Sequence, residues 1–123
     1  MANCPKSIVA MAHVKDVRRS ISFYERLGLV VTAVHAPEGA EDPVWAHLST
    51  GHAHLMLALA SEPVDPAQQA VLFYMYYEDI KATHAAMTAD GLPVSEITYP
   101  FYCPEGEFRL FDPDGYCLML THT

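Results

Sequence analysis

The chain has 123 residues, 51% of them hydrophobic and 18% charged. That is a globular composition, long enough to bury roughly two thirds of the unfolded surface, and it excludes a disordered chain or a helix that spans a bilayer, which needs ~20 apolar residues in a row. The formal net charge is −8, from seven basic and fifteen acidic side chains. No basic stripe exists for phosphates, so nucleic acid is a poor partner.

The chain reads as a single domain, 1–123, built of two modules at about 5–61 and 69–121. An apolar run at 7–14 is read as the first strand. Asp16 is a carboxylate suited to capping a helix, and Val17, Ile21, Tyr24 and Leu27 recur at helical spacing behind it. Gly28 stops that helix. Strand-like pieces follow at 29–34, 43–49 and 54–60, and then a polar linker at 61–66 containing Pro63 and Pro66. The second half has the same local order. A strand rich in aromatics at 71–77 precedes Asp79, a helix at 80–89 and Gly91, and strands are expected at 94–99, 107–111 and 116–121. Asp112-Pro113-Asp114-Gly115 is a strong turn.

The two halves repeat at an offset of 63 residues: Asp16 falls on Asp79, Gly28-Leu29 on Gly91-Leu92, and Leu55 and Leu57 on Leu118 and Leu120. Each half therefore reads β-α-β-β-β, one small sheet with a helix on one face. The predicted class is α+β, with the two modules forming a curved mixed sheet around a cleft and the helices outside. Such a cleft is a small-molecule site by geometry. Residues 1–61 are balanced in charge; all the excess lies in 62–123, where Lys81 and Arg109 face ten carboxylates. An acidic half suits a cationic ligand, although solubility alone also accounts for it.

Cys4, Cys103 and Cys117 are odd in number, lie in no Cys-x-x-Cys pair and follow no secretory signal. Free thiols in a cytoplasmic protein are expected. Neither a nucleophile-elbow pattern nor a glycine-rich phosphate loop occurs.

With Val14-Lys15-Asp16, the phrase from Ser22 through Phe23-Tyr24-Glu25-Arg26-Leu27-Gly28-Leu29, and Phe111-Asp112-Pro113-Asp114-Gly115-Tyr116, the chain resembles the vicinal oxygen chelate superfamily of glyoxalase I, extradiol dioxygenases and bleomycin-resistance proteins. The resemblance spans nearly the whole chain but specifies no single activity. In that family the enzymes hold a divalent metal on the first and last strands of each module. The corresponding positions here are Val9, Met56, Leu72 and Met119, which offer no imidazole or carboxylate. Thioether sulfur suits only soft metals. The resemblance therefore implies no metal and no cofactor, and a character closest to the metal-free bleomycin-resistance type, usually a homodimer.

Alternation from those positions turns Val9, Met11 and His13, His54, Met56 and Ala58, Leu72, Tyr74 and Tyr76, and Cys117 and Met119 toward the cleft. Ile8, Ala10, Phe73, Met75, Leu55, Leu57, Leu118 and Leu120 are expected under the helices. Trp45 and the loop residues Phe101 and Tyr102 are candidates to stack on a planar ligand. Three functions follow. The first is a metal-free protein that binds and sequesters a bulky cationic or aromatic compound. The second is a metal-dependent lyase, isomerase or dioxygenase with a rearranged site drawn from His54, His52, His13 and Glu107, with His47 approaching from the preceding strand. The third is a metal-free enzyme with His13 or His54 as base and Tyr76 as acid, for which no orienting carboxylate is visible.

Overall fold

The structure is a computed structural model that describes residues 5–122; Cys4 lies outside the described residues. The elements run β1 (Ala10–Val14), α1 (Val17–Glu25), β2 (Val30–His35), β3 (Trp45–Thr50), β4 (Ala53–Leu59), β5 (Leu72–Tyr77), α2 (Ile80–Ala89), β6 (Glu107–Phe111) and β7 (Cys117–His122). The chain divides between Val64 and Asp65, inside the expected linker, into two compact units.

The first unit is a four-stranded sheet in the order β1-β4-β3-β2, and the second a three-stranded sheet ordered β5-β7-β6. Both are mixed: β1 runs parallel to β4 and β5 parallel to β7, while β3 and β6 pair antiparallel with those same central strands. The α+β class is as the sequence predicts.

The helices begin and end as their sequences dictate. Asp16 and Asp79 have extended backbones, and their carboxylates accept from Arg19 N and Ala82 N at 3.1 and 3.0 Å. Gly28 and Gly91 take φ of +103° and +81°, which turns the chain so that Leu29 N and Leu92 N donate back to Tyr24 O and Met87 O. Each turn then drops a leucine into its core.

In the first unit Ala12, Val14, Ala46, Leu48, Leu55 and Leu57 are buried against Val17, Tyr24 and Leu27. In the second, Phe108, Leu110, Leu118 and Leu120 are buried with Ile80, Met87 and Leu92. Full burial of one such aliphatic side chain is worth about 1.5–3 kcal/mol.

Three expectations are corrected. Ile8 is 95% exposed and Ala10 is exposed as well, because the β1 ladder starts only at Ala10, opposite Leu55, and the core is built from Ala12 and Val14. Segment 94–99 forms no strand and meets β6 in a single bridge, Thr98 with Glu107. Pro93 and Pro100 flank it without N–H groups, the Ser95 hydroxyl takes the Arg109 N–H in place of a carbonyl (2.8 Å), and His84 Nε2 holds Ser95 O at 2.8 Å. The 63-residue offset also slips in one place. Met56 faces His47 across the first hairpin, and Met119 faces Arg109 across the second. β6 thus lies one residue nearer to β3 in numbering, because the Asp112–Tyr116 turn is one residue longer. Asp112 Oδ1 accepts from Asp114 N and Tyr116 N at 2.9 Å each. Gly115 sits there at φ +88°, where a Cβ would come within 2.5 Å of the Pro66 backbone.

Candidate functional site

Each sheet has one face packed under its helix and one open face, and the open faces carry the residues expected to bind. In the first unit the ladders set two rows side by side: His13, Ala58 and Trp45, and then Met11, Met56 and His47. His54 follows on β4, opposite Ser49. Val9 is half-buried just before β1. His52 lies exposed in the turn before β4 and does not join the row.

Two imidazoles of this face, those of His47 and His54, are bound to each other. His54 Nδ1 lies 3.2 Å from His47 Nε2, and the rings stack at 5.2 Å. Trp45 continues the stack, 6.5 Å from His47. A shift in the β2–β3 register at Thr32 aims its hydroxyl at His47, where it donates to the carbonyl at 3.1 Å and lies 3.2 Å from Nδ1. Both His47 ring nitrogens and one of His54 are therefore spent within the protein.

The second unit's open face is aromatic. Leu72, Cys117 and Phe111 form one row, Tyr74, Met119 and Arg109 the next, and Tyr76, Thr121 and Glu107 the third. Tyr74 and Tyr76 are 48% and 62% exposed, so neither is core, and their rings lie 6.4 Å apart. Phe101 and Tyr102 occupy a turn closed by Cys103 N donating to Pro100 O. Phe101 is exposed and meets Tyr102 edge-on at 5.5 Å. The Cys103 thiol ties this loop to β7, 2.8 Å from Thr121 Oγ1.

Between segment 95–102, β6 and Met119 lies an open groove of about 600 Å³. Glu107 stands in its wall, only 3% exposed, with no hydrogen-bond partner for either carboxylate oxygen. The Tyr102 phenol is near enough that hydrogen bonding to the Glu107 carboxylate, with smaller contributions from burial and from the carboxylate's charge, raises its pKa above the ordinary phenol value. Even so, no bond of sound geometry joins them. Glu107 was nominated from sequence only as a metal ligand. The alternation of Phe108 and Leu110, both buried, with Glu107, Arg109 and Phe111 is the signal that places it on the open face.

The donors do not fit a divalent metal. Val9, Met56, Leu72 and Met119 carry hydrocarbon or thioether. Met11 and Tyr74 are the neighbours of the two methionines across the parallel ladders and add no such ligand. Among the described residues, no group of three or more His, Cys, Asp or Glu could hold a metal ion.

Two mixed sheets, each with a capped helix on one face and an open face on the other, define an α+β protein built of two related modules. Residues 8–120 match the Glyoxalase/Bleomycin resistance protein/Dioxygenase superfamily, and the chain belongs to it. Among solved structures it is similar to a bleomycin-binding protein complexed with bleomycin, at TM-score 0.78 and 18% identity, covering 97% of this chain and 99% of that one. It is equally similar to a bleomycin resistance determinant encoded on transposon Tn5, at TM-score 0.78 and 18% identity, covering 97% and 98%. An antibiotic-binding protein from a Streptomyces species aligns at TM-score 0.72 and 19% identity, covering 98% and 97%. At these identities the likeness is one of fold. No curated protein matches the sequence. Among the described residues no helix is long and apolar enough to cross a membrane.

Proposed function

We propose that this protein is a metal-free binding protein that sequesters a bulky cationic or aromatic compound, working as a cytoplasmic homodimer. One observation carries the reading: where enzymes of the superfamily place metal ligands, this chain has Val9, Met56, Leu72 and Met119, set among exposed aromatics and sulfur. Such a surface gains affinity by stacking and dispersion, and its side chains offer no imidazole or carboxylate set to hold the Lewis acid that enolate or dioxygen chemistry needs. The solved relatives named for bleomycin or antibiotic binding support the same choice. The free thiols Cys103 and Cys117 suit a reducing compartment.

The experiment is a titration with bleomycin and a panel of hydrophobic aromatic cations, followed by mass spectrometry of the recovered ligand. Binding tighter than about 100 µM, worth roughly 5.5 kcal/mol, with the ligand unchanged, is the expected result. Failure of every compound at that level, or conversion of the ligand, overturns it. Native mass spectrometry reads subunit count and metal content in one spectrum. A stoichiometric divalent ion would put the metal-dependent lyase, isomerase or dioxygenase in its place.

A further inference from the structure

Glu107 opens β6, and its backbone is fully used: its N–H donates to Thr98 O at 2.9 Å and its carbonyl accepts from Thr98 N at 2.8 Å. The carboxylate is not. It is buried to 3% exposure in the groove wall, and neither oxygen has a partner. Each side chain that would ordinarily answer it is engaged elsewhere or out of place. Thr121, its neighbour across the ladder, has its hydroxyl on the Cys103 thiol. Arg109, two residues along the same face, makes no ion pair with it. The Tyr102 phenol is close enough for hydrogen bonding to Glu107 to raise its pKa, yet it makes no bond of sound geometry to either oxygen.

A buried carboxylate without a well-formed partner costs stability, and such groups in folded proteins are ordinarily paired. The groove beside it is of the size that holds drug-like molecules. Tyr99, Pro100 and Tyr102 give it an apolar and aromatic wall, and Glu96 adds a second carboxylate against the single guanidinium of Arg109. A divalent ion would find one buried carboxylate and no set of further ligands around it.

We infer that this groove recognises an organic monocation with N–H donors, an ammonium or amidinium on an aromatic body, and that Glu107 is its counter-ion. The inference rests on the binding function proposed above and names the chemistry recognised there. The cation pairs with the Glu107 carboxylate from the groove side, and its aromatic part lies against Tyr99 and Tyr102. Charge outside the groove then sets the rate of encounter, while Glu107 sets specificity.

The test uses the intact protein at neutral pH with dansylcadaverine, a primary amine on a naphthalene, and its uncharged N-acetyl form. Wild type is expected to prefer the amine by about tenfold or more, the scale of one charged hydrogen-bonded contact. Glu107→Gln should lose about that factor for the amine and stay within about twofold for the N-acetyl form. Glu96→Gln, at the rim, should change either by less than about twofold. The amine should raise the melting temperature of wild type and not that of Glu107→Gln. Equal affinity of wild type for both probes, or an unchanged Glu107→Gln, overturns the counter-ion and leaves the binding function standing. Failure of wild type to bind either probe overturns the inference, while the binding function stands or falls on the titration with bleomycin and the aromatic cations. A Glu107→Gln chain that melts well below wild type would show the carboxylate to be a structural prop, and that too overturns the inference.

Discussion

The open faces of the two units occupy the same ladder positions and carry opposite chemistry. Where the first unit sets Trp45 beside Ala58 and His13, the second sets Glu107 beside Thr121 and Tyr76. Where the first sets His47 beside Met56 and Met11, the second sets Arg109 beside Met119 and Tyr74. On the first face the polar groups answer one another, Thr32 to His47 and His47 to His54. On the second, a buried carboxylate is left unanswered. The packed faces show no such divergence: Leu57 and Leu120 are both fully buried on the central strands. A fold of this kind specifies one face of each sheet by burial and leaves the other to function.

That equivalence breaks if the packed faces differ in stability. Leu57→Ala and Leu120→Ala should each cost about 2–5 kcal/mol, the range for truncating a buried leucine, and urea midpoints should fall comparably in both. A loss of under 1 kcal/mol in one of them would show that its unit is loosely packed. The hairpin turns should behave unequally. Asp112→Ala strands the Asp114 and Tyr116 amides and should cost about 1–3 kcal/mol, whereas His52→Ala, in the exposed turn of the other hairpin, should stay within about 0.5 kcal/mol. The helix caps should again behave alike, Asp16→Ala and Asp79→Ala each losing about 1 kcal/mol.

These contrasts mark what was legible in the sequence. Caps, helix stops and the inward leucines follow from local rules, so Asp16, Gly28, Leu57 and their mates at Asp79, Gly91 and Leu120 could be read directly. The family was legible from the Phe23-Tyr24 phrase and the turn at Asp112. Segment 94–99 was not, because its β-branched and aromatic residues Val94, Ile97, Thr98 and Tyr99 promised a strand while Ser95 and His84, side chains with no periodic signature, hold it in another path. Pairing between distant polar groups was equally out of reach. The bond between Thr32 and His47 depends on a register shift in the β2–β3 pair, and the isolation of Glu107 depends on where Cys103, Arg109 and Tyr102 come to rest.

The smallest effect is confined to high pH and again sets one unit against the other. Tyr77 ends β5 where Val14 ends β1. Burial pushes the Tyr77 phenol up from 10.0 to about 12. The folded state thus holds this proton more tightly than the unfolded chain does. The resulting stabilisation is fully present below pH 10 and is lost as pH rises toward 12. Val14 has nothing to titrate, so the first unit lacks that term. In an absorbance titration of tyrosinate one phenol should ionise late, near pH 12, and Tyr77→Phe should remove that late step while flattening the alkaline fall in stability. A Tyr77→Phe titration that keeps the late step would assign it to another phenol. Tyr102 is the next candidate, since hydrogen bonding to Glu107, more than burial, raises its pKa. Glu107→Gln would then shift the late step downward, linking the alkaline titration to the same unanswered carboxylate.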